Sequence, residues 1–197
     1  MSFFKKLFNI PVKKDEAILN QEVILSLDDL FVNNFVNKGG TFLYSLDKKE
    51  IADNLSKILR ENNWKQLTVL DDKLSSYFNK KEVEISEIFK PDIPVFLNCE
   101  HLIADNGDIL FSSNQLKSIK LCEMPKNFIV YATTSQMVND MGEGLTGIKT
   151  HYKENIPTNI SAVKNYNINK NEDSLLNFGN SNSKNLYLLL LEDLQYE

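Results

Sequence analysis

The chain has 197 residues, of which 42% are hydrophobic and 25% charged, as in an ordinary globular domain. Its net charge of −5 disfavours a nucleic-acid surface, because such surfaces are usually basic. Two cysteines exclude a disulfide scaffold and indicate a reducing compartment. We therefore expect a cytoplasmic protein, since no run is long and apolar enough to span a bilayer.

Residues 1–22 are interpreted as an amphipathic segment and linker, ahead of one domain over residues 23–197. Phe4, Leu7 and Phe8 would share a face of a helix within residues 1–11. That face indicates contact with a membrane surface or a partner protein. A turn packed on its own domain is the alternative.

A first helix is predicted from Ser26, where Asp29 completes a pattern that resembles a capping box. Gly39 or Gly40 ends this helix, and a strand follows over residues 41–44. The two glycines also allow a ligand to approach the backbone closely. We include both as candidate ligand-binding residues, with a helix stop as the simpler interpretation.

Asp47 and Glu50 predict the start of a second helix, which is amphipathic to about Asn62, and Leu67–Leu70 predicts a strand. Strands that alternate with helices favour an α/β fold with a largely parallel sheet. We therefore predict a single-domain open sheet flanked by helices.

Three short apolar runs follow, at Val95–Leu97, Ile109–Phe111 and Phe128–Ala132. Each is rich in β-branched and aromatic residues and predicts a strand. The run at Phe128 does not alternate with polar residues, which is typical of a strand covered on both faces. We expect the three strands to lie side by side.

Small polar side chains follow these strands, at the position where open α/β sheets commonly bind ligands. They predict a site for a small carboxylate or phosphate ester, although the same residues are equally suited to capping helices. The candidate ligand-binding residues of this region are Asp105, Gly107, Ser112, Ser113, Ser135 and Gln136.

Glu100 and His101 directly follow the first of these runs and are suited to general acid–base chemistry. If the strand continues through them, they point to opposite faces and cannot both meet one substrate. Solvated loop residues are the alternative. Cys99 is interpreted as buried core, because a nucleophilic thiol needs an oriented base.

Further along, Ser135–Met141 predicts a helix start, and Gly142, Gly144 and Gly147 then predict a hinge or a C-cap. No phosphate loop is indicated, because no Gly-Lys-Ser/Thr follows these glycines. We expect no metal site, because the two histidines and scattered carboxylates have no recognisable ligand spacing.

The order of these features resembles the LUD domain family, whose best-known members are similar to lactate utilization protein C. The likeness extends from Phe35 to the last apolar strand. The residues that carry it are Phe35, Gly39, Gly40, Ala104, Asp105, Gly107, Ser112, Ser113, Pro125, Phe128–Ala132, Ser135, Gln136, Val138 and Asp140.

This resemblance implies a fold similar to the ribose-phosphate isomerase and CoA-transferase group. It also implies a role in oxidising L-lactate to pyruvate beside iron–sulfur oxidoreductase subunits. Two cysteines cannot supply the usual four-cysteine cluster, so we expect no cofactor on this chain and any cluster on a partner. By analogy with CoA-transferases, Glu100 is the catalytic candidate, as a nucleophile.

The chain departs from the family pattern at residues 165–183, where a Gly-, Ser- and Thr-rich motif with a cation is usual. Only Gly179 and, in kind, Asp173 are retained. Such a loop is suited to holding an anion, so its loss indicates a divergent member with weakened chemistry. Two alternatives stay open: a non-catalytic scaffold module, and an enzyme or binder acting on a phosphorylated or CoA-linked small molecule.

Overall fold

The computed structural model describes residues 25–166 and 182–193. Within them a six-stranded parallel sheet forms the centre of the molecule. In sheet order its strands are Thr41–Ser45 (β1), Asn185–Leu191 (β10), Asn127–Thr133 (β7), Val95–Asn98 (β4), Gln66–Val69 (β2) and Glu84–Ile85 (β3).

A smaller, mixed sheet lies beside it. In sheet order its strands are Met137–Val138 (β8), His101–Ile103 (β5), Asp108–Phe111 (β6) and Ser161–Val163 (β9). Strand β6 is antiparallel to both of its neighbours, whereas β5 and β8 are parallel.

Four α-helices occur in the described residues, together with four short 3₁₀ segments. The α-helices are Leu27–Asn37 (α1), Lys48–Glu61 (α2), Ser113–Leu116 (α3) and Met141–Tyr152 (α4). The 3₁₀ segments are Asp72–Tyr77, Leu121–Glu123, Thr134–Gln136 and Lys153–Asn155.

Local sequence signals explain the bounds of the first two helices. The Asp47 carboxylate accepts hydrogen bonds from the amides of Lys49 and Glu50 and so begins α2 as predicted. Gly39 follows α1 with a φ of 93°, a left-handed conformation that glycine adopts at little cost. Ser26 occupies the N-cap of α1 without a side-chain capping hydrogen bond, so the predicted capping box is wrong.

Two hydrophobic cores cover the two faces of the parallel sheet. Alternate residues of β7 enter them, since Val130 packs with Phe31 of α1 in one core and Ile129 packs with Leu55 of α2 in the other. The prediction that the Phe128 run is covered on both faces is therefore confirmed. The predicted open α/β fold with flanking helices is also confirmed.

The run Ile109–Phe111 does not lie beside the other two, so this part of the prediction is wrong. Strands β4 and β7 are neighbours, but β6 belongs to the smaller sheet. Gly107, with a φ of 69°, turns the chain from β5 back into β6, and its amide bonds to the carbonyl of Ile103 at 2.8 Å. A tight hairpin makes its two strands antiparallel, and both belong to the smaller sheet.

The glycines at 142, 144 and 147 lie inside α4 and not at its end, so the C-cap interpretation is wrong, whereas the helix hinge stays a prediction. The Asp140 carboxylate accepts a hydrogen bond from the Glu143 amide and begins the helix in front of them. A Cβ at Gly144 would meet the Cδ1 of Ile103 at 3.1 Å. A small residue is needed there because the helix packs closely on β5.

Residues 1–22, with the amphipathic segment 1–11, lie outside the described residues. So does most of the departing region, including Asp173 and Gly179. Among the described helices, none combines the length and the apolar character needed to cross a membrane.

Candidate functional site

A cleft of about 480 Å³ opens where β4 and β7 end, and α4 forms its opposite wall. We call it the Glu100 cleft. Its lining residues are Asn98, Cys99, Glu100, His101, Gln115, Ser135, Gln136, Gly147, Ile148, His151 and Tyr152.

The Glu100 carboxylate lies in this cleft and is only 9% exposed. Its Oε1 accepts hydrogen bonds from the Ser112 hydroxyl at 2.5 Å, the Gln115 amide at 3.0 Å and the Asn114 amide at 3.1 Å. Its Oε2 accepts one from the Tyr152 hydroxyl at 3.1 Å. A buried carboxylate is costly unless donors surround it, and here four converge on one group.

Two capping boxes of the same kind lie beside Glu100. In the first, the Ser112 hydroxyl oxygen accepts from the backbone amide of Asn114. The side-chain oxygen of Gln115 accepts from the backbone amide of Ser112 at 2.9 Å. In the second, Gln136 accepts from the amide of Thr133 at 2.8 Å. The glutamine amide of each box is thereby left to donate into the strand end that carries Glu100.

Gln136 uses its amide to brace the turn that presents Glu100. The amide donates to the carbonyl oxygen of Cys99 at 2.6 Å and to that of Glu100 at 3.2 Å. Strand β4 has ended at Asn98, and β5 begins only at His101. Because the strand does not continue through them, Glu100 and His101 both line the cleft.

The tautomer of His101 follows from its partner. Its Nδ1 lies 3.3 Å from the carbonyl oxygen of Gln136, and a carbonyl only accepts, so Nδ1 carries the hydrogen. In the neutral ring Nε2 is then an acceptor. A Cβ at Gly147 would lie 3.0 Å from this Nε2, so a larger residue at position 147 would press on the imidazole.

Asp193 fixes the loop after β7 from outside the cleft. Its carboxylate accepts from the amide of Ser135 at 2.8 Å, from the Ser135 hydroxyl at 2.6 Å and from the Thr134 hydroxyl at 2.8 Å. Burial alone would raise the pKa of Asp193, but these hydrogen bonds outweigh it and hold the pKa below its ordinary value. The charged carboxylate therefore orders the segment that presents Gln136.

Two other groups in the cleft stay protonated. Burial, with the adjacent Glu100 charge, raises the pKa of the Cys99 thiol far above its ordinary value, so Cys99 is not an activated nucleophile. Burial and the Glu100 charge also raise the pKa of Tyr152. Tyr152 therefore remains a hydrogen-bond donor to Glu100.

A second opening of about 490 Å³ adjoins the Glu100 cleft and shares Asn98, Gln115 and Tyr152 with it. It adds two cations, Lys73 and Lys117, and two carboxylates, Asp71 and Asp72. The two openings are therefore separated only by the three side chains that they share.

The structure divides the predicted ligand-binding residues between two places. Ser112, Ser135 and Gln136 gather around Glu100, as described above. Ser113 lies beside them, but its hydroxyl accepts from the amide of Thr158 at 3.0 Å.

Gly39, Gly40, Asp105 and Gly107 lie instead against α1. The Asn34 amide donates to the carbonyl oxygens of Ala104 at 2.8 Å and Asp105 at 3.0 Å. A Cβ at Gly107 would lie 2.5 Å from the Phe35 amide nitrogen, and one at Gly40 would enter the Phe35 ring. Close packing of a turn and a helix end on α1 accounts for these residues, which do not reach the Glu100 cleft.

Sequence reasoning missed Asn114, Gln115 and Tyr152 as partners of Glu100. The spacing Ser112-x-x-Gln115 is a capping-box signal and would have placed Gln115 beside the serine. No local signal exists for Tyr152, which is 52 residues from Glu100 along the chain.

Within residues 25–166 and 182–193, no group of three or more His, Cys, Asp or Glu side chains is arranged to hold a metal ion. Cys99 is buried and Cys122 is half-buried, and the whole chain has no other cysteine. These residues do not fit a four-cysteine iron–sulfur cluster.

The fold is similar to that of a DUF162 family protein from Deinococcus radiodurans, solved by crystallography at 1.70 Å resolution. The TM-score is 0.56 and the sequence identity is 12%, over 85% of this chain and 99% of that chain. At this identity the likeness concerns the fold alone. No protein-family model matches the chain, and no curated protein matches it in sequence.

Proposed function

We propose that this chain is a divergent protein of the LUD type that binds a small hydroxy acid, such as L-lactate, in the Glu100 cleft. Two findings support the family assignment. The order of motifs from Gly39 to the last strand resembles that family, and the fold is similar to a DUF162 protein, a group related to LUD-domain proteins.

The observation that carries the proposal is the uneven use of the two oxygens of Glu100. Three donors occupy Oε1, whereas only Tyr152 donates to Oε2 among the described residues. A carboxylate oxygen accepts about two hydrogen bonds, so Oε2 keeps capacity for one more donor. A ligand hydroxyl is such a donor, and the Nε2 of His101 is a second acceptor lining the same cleft.

The acid group of the ligand needs a positive partner, and in the adjoining opening Lys117 is the cation placed away from the carboxylates of Asp71 and Asp72 along the chain. The Lys117 ammonium donates to the carbonyl oxygen of Asn114 at 3.2 Å, which places it next to a partner of Glu100. In this arrangement the hydroxyl of the acid donates to Oε2 of Glu100, and its carboxylate pairs with the Lys117 ammonium.

In this function the electrons from oxidation pass to partner proteins. Removing two electrons from a hydroxy acid requires an acceptor, and the cysteines of this chain do not fit an iron–sulfur cluster. We therefore assign any cluster to partner subunits, and to this chain the binding and orientation of the acid.

A melting experiment with L-lactate, pyruvate and the Glu100→Gln variant tests the proposal. Lactate at 100 times its dissociation constant should stabilise the protein by about 2.7 kcal/mol. Pyruvate lacks the hydroxyl and should stabilise it less, because one acceptor is then left unpaired. Equal effects of the two acids would refute the role of the hydroxyl.

Glu100→Gln is a suitable variant because its amide oxygen still accepts from the donors at Oε1, and its amide nitrogen donates to the Tyr152 hydroxyl. We expect it to fold and to lose the lactate effect. Adding iron–sulfur partner proteins should restore lactate-dependent dye reduction to the wild type and not to this variant. Reduction that is equal in both would exclude Glu100 from the function.

A second candidate is acyl transfer, with Glu100 as nucleophile on a CoA-linked or phosphorylated substrate. The joined openings favour it, because they are larger than a three-carbon acid needs. Attack of the Glu100 carboxylate on acetyl-CoA would form an acyl anhydride and release CoA as its thiolate, so the wild type should gain one acetyl mass and Glu100→Gln none. An unmodified wild-type mass would exclude this chemistry for that substrate.

A further inference from the structure

A separate cleft of about 460 Å³ lies at the other end of the parallel sheet, where β2 and β3 begin. We call it the Trp64 cleft. The end of α2 forms one wall and the segment after the first 3₁₀ turn forms the other. Its lining residues are Ser56, Leu59, Arg60, Asn63, Trp64, Lys65, Phe78, Asn79, Glu82 and Val83.

Two half-buried aromatic side chains give this cleft fixed apolar surfaces. Trp64 meets Tyr187 edge-on, with ring centroids 5.9 Å apart. Phe78 meets Phe96 at 6.5 Å in the same manner. Because packing already holds both rings, a planar ligand can stack on them without ordering them first.

Cations lie beside these rings. The Arg60 Nε donates to the carbonyl oxygen of Ser56 at 3.3 Å, and its terminal nitrogens have no partner within the described residues. Lys65 also lines the cleft. The one acidic lining residue, Glu82, accepts from the Asn79 amide at 3.0 Å. A guanidinium whose two terminal nitrogens are unpaired is suited to bidentate hydrogen bonding with a phosphate or carboxylate.

Arg60 and Trp64 are the only arginine and the only tryptophan of the chain, and they stand four residues apart. The chain as a whole carries a net charge of −5, so the positive charge of this cleft is local. Aromatic faces next to free cations match a ligand that joins an aromatic ring to an anion.

We propose that the Trp64 cleft binds a nucleoside monophosphate, with the base against Trp64 and Phe78 and the phosphate on Arg60 and Lys65. The volume lies within the range of about 300–1,000 Å³ typical of small-ligand pockets. This site is independent of the Glu100 cleft, because the two open at opposite ends of the strands.

Tryptophan fluorescence tests the proposal directly, since Trp64 is the only tryptophan and any change in its emission reports on this cleft. AMP or UMP should quench the emission in a saturable way. Adenosine and inorganic phosphate, each carrying half of the ligand chemistry, should bind at least tenfold more weakly. Failure of both nucleotides to quench, or quenching by adenosine as strong as by AMP, would overturn the proposal.

Arg60→Gln should weaken AMP binding about tenfold, because one charge-assisted contact is lost. The matched control is Lys57→Gln, on the same helix, where the lysine lies 4.0 Å from Glu61 and does not line the cleft. Both residues are exposed, so both variants should fold. Equal weakening in the two variants would assign the effect to overall charge and overturn the site.

Discussion

The Ser112 hydroxyl donates to Oε1 of Glu100 at 2.5 Å, although the two residues are twelve positions apart and belong to different loops. The same hydroxyl oxygen accepts from the amide of Asn114 at the start of α3. One side chain thus begins a helix and holds the buried carboxylate. The turn between β5 and β6 makes this possible, because it brings the end of β6 back beside Glu100.

Ser112→Ala should destabilise the protein by about 1–3 kcal/mol, because a buried carboxylate loses a donor and α3 loses its cap. Urea denaturation at pH 7 measures this loss. The lactate effect proposed for the Glu100 cleft should weaken as well.

Ser113→Ala is the matched control, since its hydroxyl pairs with the amide of Thr158 and does not contact Glu100. We expect a loss of about 1 kcal/mol or less and an unchanged response to lactate. Equal effects of the two substitutions would contradict the special role of Ser112.

Gly147→Ala tests the room that α4 leaves for His101. The added methyl group would lie 3.0 Å from the imidazole Nε2 and must displace the ring. Stability should change little, because alanine favours a helix by up to about 1 kcal/mol and offsets the strain. The response to lactate in the melting experiment should fall.

Gly142→Ala serves as its control. The nearest atom to its Cβ is the Asp140 Oδ1 at 3.1 Å, outside the Glu100 cleft. This variant should respond to lactate like the wild type. A full response from Gly147→Ala as well would show that the position of His101 has no part in binding.

The parallel sheet and its helices could be predicted because local signals determine them. Asp47 marks the start of α2, Gly39 the end of α1, and the apolar run at Phe128 a strand with two buried faces. Each of these signals depends only on residues close together in the sequence, so it can be read without knowledge of the fold.

The site was less predictable, because its geometry depends on contacts distant in sequence. Strand β5 has three residues, which is too short for an alternation of polar and apolar residues to be recognised. Because β5 is missed, the strand that pairs with β6 cannot be predicted. Tyr152 reaches Glu100 only because α4 crosses the smaller sheet. Polar loops that look alike in sequence, at Asp105 and at Ser112, face different neighbours for this reason.

Gly107→Ala should destabilise the protein by about 2 kcal/mol or more without altering the Glu100 cleft. Its φ of 69° is strained for alanine, and its Cβ would lie 2.5 Å from the amide nitrogen of Phe35. Denaturant unfolding measures the stability, and lactate binding by the folded protein should persist.

Asp105→Ala is the comparison within the same turn. The Asn34 amide bonds to the backbone carbonyl of Asp105, which the substitution keeps. We expect stability within about 0.5 kcal/mol of the wild type, as for most exposed positions. Loss of lactate binding in this variant would show that the Asp105 side chain takes part in ligand binding.

Lys184 gives the stability of the protein a predictable dependence on pH. The side chain is 2% exposed, donates to the carbonyl oxygen of Met124 at 3.0 Å and lies 5.1 Å from the centroid of the Phe128 ring. Burial lowers the pKa of Lys184 from its ordinary value of 10.5 to about 8. Cys122 and Lys126 are the neighbouring titratable groups and have opposite, smaller effects.

Between pH 8 and 10.5 the unfolded chain therefore binds more protons at this lysine than the folded protein does, so its contribution to stability increases as the pH rises. Below pH 8 both states are protonated and the contribution is constant. The free energy of unfolding of the wild type, relative to Lys184→Met, should increase across this window. A flat difference for Lys184→Met would mean that its ammonium is solvated in the folded protein.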